Sequence, residues 1–189
     1  MKKLFFVFLI LMVFGSSIFA FDITRYPPPI NAGDFIIDAG LGFIRTGYNL
    51  GSYSVPPLFV QAEFALPPVP VSLGAGLLYF GWKYAYPLEE LAVPTGFNMH
   101  IVTPQFRVNW HWGFDVVWLD LYTGVGFGWD IVRTKWENAP DGWSADPPGS
   151  SGVFWNFQVG AHFFFSQGVG AVLEAGYPYL MKAGISFRF

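Results

Sequence analysis

The chain has 189 residues, of which 53% are hydrophobic and 21% aromatic but only 12% charged, with a formal net charge of −3. Charged residues make up about a quarter of an ordinary soluble domain, so much of the usual solubilising surface is missing and part of the exterior must meet a solvent other than water. There is no cysteine, which excludes a disulfide framework and a thiolate-bound metal, and the length fits one domain.

The first twenty residues read as an export address. Met1-Lys2-Lys3 is basic, Leu4 to Phe14 is an apolar run, and Gly15 to Ala20 approaches a small residue. This is the pattern of a signal peptide cleaved after Ala20, residues 1–20. Ten basic residues less Lys2 and Lys3 leaves eight against thirteen acidic ones, a net charge near −5. That balance offers nothing to nucleic acid or to an anionic membrane surface. Residues 21–33 form an extended arm, because Pro27, Pro28 and Pro29 forbid helix and cannot donate to a central ladder. No later run is apolar for long enough to make a transmembrane helix. A membrane location therefore requires a closed barrel, the other structure that satisfies every backbone polar group in lipid.

From residue 34 to 189 the chain alternates with period two. The first strand, about Asp34 to Thr46, puts Phe35, Ile37, Ala39, Leu41 and Phe43 opposite Asp38, Gly40 and Gly42. After a Gly/Ser/Tyr/Pro loop to about Pro57, the second, Leu58 to Leu66, sets Leu58, Val60, Ala62 and Phe64 against Gln61 and Glu63. The third begins at Val71 and turns aromatic on both faces at Tyr79, Phe80, Trp82 and Tyr84. The fourth, about His100 to Trp112, opposes Val102, Phe106, Val108 and Trp110 to Thr103, Gln105, Arg107 and Asn109, and Pro104 within it predicts a bulge or a weak ladder position. The fifth, about Val116 to Ile131, opposes Val117, Leu119, Leu121, Val125, Phe127 and Trp129 to Asp120, Tyr122 and three glycines.

The longest loop, about Val132 to Gly152, carries Trp136, Trp143 and the acidic residues Glu137, Asp141 and Asp146, whose spacing is not that of a calcium loop. The sixth strand, Val153 to Phe165, and the seventh, from Val169, follow on either side of the turn Ser166-Gln167-Gly168. After Tyr177-Pro178-Tyr179, the last strand alternates Met181, Ala183, Ile185, Phe187 and Phe189 with Lys182, Gly184, Ser186 and Arg188.

Most of these eight strands reach the roughly 9–11 residues that cross a bilayer at a tilt. Connections alternate between long and short, as in an even-stranded barrel with both termini in the periplasm. An eight-stranded barrel has little interior room, so the small and polar face belongs in the lumen and the bulky apolar face against lipid. The expected fold is an all-β, eight-stranded antiparallel transmembrane barrel over residues 34–189.

The lumen would then hold a charge network of Asp38, Glu63, Arg107, Asp120, Glu174, Lys182 and Arg188, with Gln61, Gln105, Asn109, Tyr122, Asn156 and Gln158 beside it. Charges shielded by lipid must be paired or wet. They make either a plug or a selectivity-setting pathway. The glycines on this face would either let backbones approach or leave space for a solute. Ile44, Leu78, Phe80, Trp82 and Phe154 form a candidate apolar outer lumen. His100, His111 and His162 stand in no His-x-Ser arrangement, and His162 falls on the inward face, so no catalytic residue, metal ligand or cofactor is expected.

Taken with the leader and the eight strands, the ending Ala183-Gly184-Ile185-Ser186-Phe187-Arg188-Phe189 resembles the small outer-membrane barrels: the OmpA transmembrane domain, OmpX, the opacity proteins and OmpW. That resemblance implies a bacterial outer-membrane protein contacting lipid, with Ile185, Phe187 and Phe189 as the signal read by the outer-membrane assembly machinery. A monomer is the expected state, and the placement of the three histidines gives the expectation that the barrel is not an enzyme. An OmpW-like resemblance implies passage of small hydrophobic solutes. Two functions follow as expectations: a narrow passive conduit for small solutes, or a structural or surface-interaction barrel with a plugged lumen, in which loop residues such as Trp136 and Trp143 meet the partner.

Overall fold

Alternation of apolar and polar side chains selects strands whose two faces meet different surroundings, and eight such strands close on themselves in the computed structural model of the chain. It describes residues 30–45, 51–66, 69–85, 96–114, 116–137, 149–177 and 179–189. The strands are β1 (Phe35–Arg45), β2 (Ser52–Leu66), β3 (Val71–Ala85), β4 (Gly96–Trp112), β5 (Leu119–Glu137), β6 (Gly152–Phe164), β7 (Val169–Tyr177) and β8 (Tyr179–Arg188). Each pairs antiparallel with its sequence neighbour, and β1 pairs with β8, setting Asp38 opposite Ser186 and Gly40 opposite Gly184. Closure leaves no strand edge unpaired. One end of the barrel holds residue 30, Phe189 and the residues 69–70, 113–114, 116–118 and 165–168; it is the terminal end below, and the opposite end is the distal one.

The two faces are inverted relative to a soluble barrel. Leu73, Leu77, Phe106 and Val125 are about half exposed, whereas Asp38, Thr103, Asn109 and Asp120 are fully buried. Exposed Trp110 and Trp118 lie toward the terminal end, and Trp129, Trp155 and Tyr177 toward the distal end, so aromatic side chains flank the apolar band as interfacial girdles do. A continuous belt of this kind is stable only against lipid.

Four boundaries differ from the sequence expectation by more than a residue or two. β2 starts at Ser52 rather than Leu58, and β4 starts at Gly96 rather than His100. β5 continues to Glu137 rather than ending at Ile131, and begins at Leu119. β4 and β5 thus run on as a paired ribbon, with Gly96 opposite Glu137. Trp136 and Glu137 accordingly belong to a strand and not to the loop. Pro104 makes no bulge, since it pairs with Leu77 in unbroken register, but the pairing to β5 lapses at Thr103 and Pro104, between Val102↔Ile131 and Gln105↔Gly128, which is the weak ladder position that the proline predicts. Register shifts occur instead between Tyr53, Val55 and Leu58 of β2, where Pro56 and Pro57 together remove two amide donors from the ladder. The leader, most of the arm, Trp143, Asp141 and Asp146 lie outside the described residues. At the arm's end, Ile30 is buried against Ile36 and Ala65, and the amide of Gly33 donates to the Ala65 carbonyl at 3.0 Å, covering part of the terminal mouth.

Candidate functional site

Inward-facing residues come from alternate positions of all eight strands, and near the terminal half they form one closed hydrogen-bonded ring. Arg107 (β4) donates to Glu174 (β7) at 2.6 Å and, in a very short contact, to Glu63 (β2). Glu63 accepts from Ser72 (β3) at 2.8 Å, and Ser72 meets Nε2 of His111 (β4) at 2.9 Å. Nδ1 of His111 faces both oxygens of Asp120 (β5) at 3.0 Å. Asp120 reaches Nδ1 of His162 (β6) at 2.8 Å, whose Nε2 lies 3.3 Å from Asp38 (β1). Gln61 (β2) donates to Asp38 at 2.8 Å and accepts from Lys182 (β8) at 3.4 Å. Lys182 closes the circuit through its ion pair with Glu174, which also accepts from the Tyr122 hydroxyl at 2.9 Å.

Every strand contributes at least one member, and all are buried. In lipid-shielded surroundings an uncompensated charge is costly, and the ring compensates by donor counting as well as by proximity. The one proton of Ser72 goes to Glu63, so Ser72 must accept from His111 Nε2, while His111 Nδ1 faces a carboxylate. Both nitrogens of His162 also face carboxylates. Four carboxylates (Asp38, Glu63, Asp120, Glu174) are thus set against Arg107, Lys182 and two imidazoles, each carboxylate meeting at least one of them.

The glycines beneath this ring are filled, which decides between the two roles open to them. A Cβ on Gly160 would lie under 3 Å from the ring of Tyr122, one on Gly74 would come within 2.9 Å of Arg107 Cγ, and one on Gly124 within 2.6 Å of Gln158 Nε2. Each glycine makes room for a large neighbour side chain. Tyr122 in turn stacks on His162 at 4.9 Å. Above the ring, Gln158 donates to Asn109 at 2.8 Å. Gln105, Asn156, Gln158, Glu174 and Lys182 border a cavity of about 10 Å³, close to the minimum for one water.

The distal lumen is largely apolar, apart from Asp130, which accepts from the Thr103 hydroxyl at 2.6 Å. Leu78, Phe80 and Trp82 are buried together with Phe59, Phe97, Met99 and Ile101, and Tyr53 meets Trp82 edge-on at 4.8 Å. Phe154 is half-buried and lies over Gly128. The side chain of Ile44 is outside the described set. Trp136 turns inward against Phe97, at 6.2 Å and 87°, because the alternation of β5 continues to its end.

Six of the seven charges expected in the lumen network are joined in the ring. Arg188 lies at the terminal rim, where its Nε donates to the Gln167 carbonyl at 2.8 Å and its guanidinium sits 4.2 Å over Phe164. The two histidines and Ser72 were not expected as ring members. His111 continues the inward set Gln105, Arg107, Asn109 by one more step of two, so its direction was readable; its partners, on other strands, were not. Asp120, His111 and Ser72 stand in the order of a hydrolytic triad, but the Ser72 hydroxyl is committed to Glu63 and is 1% exposed, so it bridges two groups and is not poised for attack. Ile185, Phe187 and Phe189 face outward and are exposed.

Three solved structures illustrate what the chain is similar to. The outer membrane protein OprG from Pseudomonas aeruginosa shares 11% identity, covering 84% of this chain and 97% of that one, at a TM-score of 0.63. Ail, the attachment invasion locus protein of Yersinia pestis, solved in complex with the heparin analogue sucrose octasulfate, shares 10% identity over 85% of this chain and 100% of that one, with a TM-score of 0.57. The E. coli Outer Membrane Protein W shares 15% identity over 84% and 99%, with a TM-score of 0.50. No protein-family model and no curated protein matches the sequence. With a polar ring inside, an apolar belt outside and this likeness of backbone, the chain folds as a small eight-stranded transmembrane β-barrel of the outer-membrane type.

Proposed function

We propose that this is a bacterial outer-membrane barrel whose lumen is sealed at rest, a structural or surface-interaction barrel rather than a solute conduit. The observation that carries the reading is the closed ring from Asp38 to Gln61, which touches all eight strands and commits its charged groups to one another. A selective pathway keeps its charges available to the permeant solute; here they are spent on each other. The apolar distal half, closed over by Phe80, Trp82 and Trp136, speaks against continuous passage of small hydrophobic solutes as well.

In this reading both termini are periplasmic, since the strand ends Ala85, Gly96, Glu137 and Gly152, which the longer intervening stretches of sequence join, lie at the distal end. Ile185, Phe187 and Phe189 serve as the signal for the assembly machinery, and the barrel is a monomer. Liposome swelling tests the seal. Vesicles carrying the folded protein should swell in isotonic solutions of small sugars and amino acids no faster than protein-free vesicles. Swelling that rises with protein content would reject the sealed reading in favour of a conduit.

A further inference from the structure

Among the described side chains, the outward wall carries its charge in one place. Among the outward-facing strand side chains that the structure describes, the ionised ones are Lys83 on β3 and Arg133, Lys135 and Glu137 on β5, with His100 between them on β4. Register orders them into rows. Tyr79, Val102 and Ile131 lie across from one another as the last apolar row; Gly81, His100 and Arg133 form the next, and Lys83, Asn98 and Lys135 the one after. Two residues of strand advance about 6.6 Å along the chain, and the headgroup layer on each side of the hydrocarbon is roughly 5–8 Å deep. On strands tilted by about 35–45° the first row therefore lies about 5 Å beyond the last apolar row, at headgroup depth, and the second about 10 Å beyond it, just outside that layer and within reach of a long side chain.

Within the sector, Glu137 is already occupied. It pairs with Lys83 at 2.8 Å and accepts from Asn98. This tip of β5 is past the apolar belt, and the hydrogen bond from Lys83 holds the Glu137 carboxyl below its usual range. Arg133 and Lys135 are exposed and have no ion-pair partner among the described residues. His100 is fixed beside them by the Tyr79 hydroxyl, at 2.9 Å, with the two rings stacked at 7°. The acidic balance of the whole chain thus conceals a local cationic surface.

We infer that the β3–β5 sector is a docking surface for the phosphate groups of anionic membrane lipids, with Arg133 and Lys135 as the principal contacts. A guanidinium grips phosphate oxygens through two parallel hydrogen bonds, and an ammonium adds a point charge. Depth and charge complementarity favour a lipid headgroup over a soluble ligand, because the rows border directly on the belt that lipid chains cover.

The test uses the full folded chain in nanodiscs of equimolar phosphatidylglycerol and phosphatidylcholine, with the lipid retained after mild detergent extraction counted by mass spectrometry. The wild-type barrel should retain phosphatidylglycerol in excess. Each cation removed should lower the excess about fivefold, so Arg133→Gln/Lys135→Gln should approach the bulk ratio. Glu137→Gln, which releases Lys83, should raise it. A heat-modifiable gel band confirms that each variant is folded. No excess for the wild type, or an undiminished excess in the double variant, would overturn the assignment. So would binding of sucrose octasulfate in pure phosphatidylcholine discs without any phosphatidylglycerol excess, which would give the sector to a soluble polyanion.

Discussion

Arg107 reaches Glu174 at 2.6 Å across the lumen, tying β4 to β7, two strands that are not neighbours in the wall. Wall hydrogen bonds hold each stave to the next, but only contacts of this kind resist flattening or opening of the cross-section. Removing one partner of a buried pair leaves the other charge uncompensated, at a cost of about 3–5 kcal/mol. Arg107→Met should destabilise the barrel by that order in reversible urea unfolding from vesicles. Glu174→Gln in the same background should cost far less than it does alone, and additive losses would show that the two residues are not coupled.

His162 links Asp120 and Asp38 from its two nitrogens and stacks with two rings, Tyr122 at 4.9 Å and Phe164 at 5.8 Å. If its role is to carry charge between carboxylates, size alone will not replace it. His162→Leu should lower stability by about 3–5 kcal/mol, and Asp38→Asn should restore part of the loss by removing one stranded carboxylate. A double variant no better than the single one would mean that shape, not charge, sets the cost.

Gly160 and Gly152 lie on the same strand in opposite circumstances. A methyl on Gly160 would strike Tyr122, whereas one on Gly152 meets nothing within 4 Å. Overpacking a filled interior costs about 1–3 kcal/mol. Gly160→Ala should therefore show that loss by chemical denaturation, and Gly152→Ala should be neutral. Equal effects would mean the lumen has slack that the packing does not suggest.

Trp82 belongs to the distal apolar cluster, well separated in character from the ring. Trp82→Ala should cost about 3–5 kcal/mol, as large truncations in filled interiors do. It should leave liposome swelling at the protein-free rate, because the ring below is intact. Swelling produced by this one change would place the seal in the distal cluster instead.

The wall was legible in the sequence because its rule is local: period two, glycines with the polar set, and bulky apolar residues on the other face. Ends of strands were less legible. Glu137 and Trp136 look like loop residues, since a ribbon that runs beyond the bilayer loses the apolar signal, though its pairing and alternation persist. Pro104 gives the weak ladder position that its missing amide predicts, a lapse in the pairing to β5 without a change of register, while the register shifts fall at the adjacent pair Pro56-Pro57. The members of the ring could be named individually by direction, as Glu63, Arg107 and Glu174 were. Their partnership could not, because Arg107 and Glu174 are 67 positions apart and only closure brings them together. The lipid-facing cations were hidden for the same reason, since register across three strands collects them and net charge does not.

The seal is tested most directly by single-channel recording from the purified, folded wild-type protein in planar bilayers. The closed ring predicts a silent bilayer, with no discrete steps at moderate voltage. Reproducible unitary conductance steps whose size changes when Arg107 or Glu174 is neutralised would contradict it, and would make the ring the filter of an open pathway.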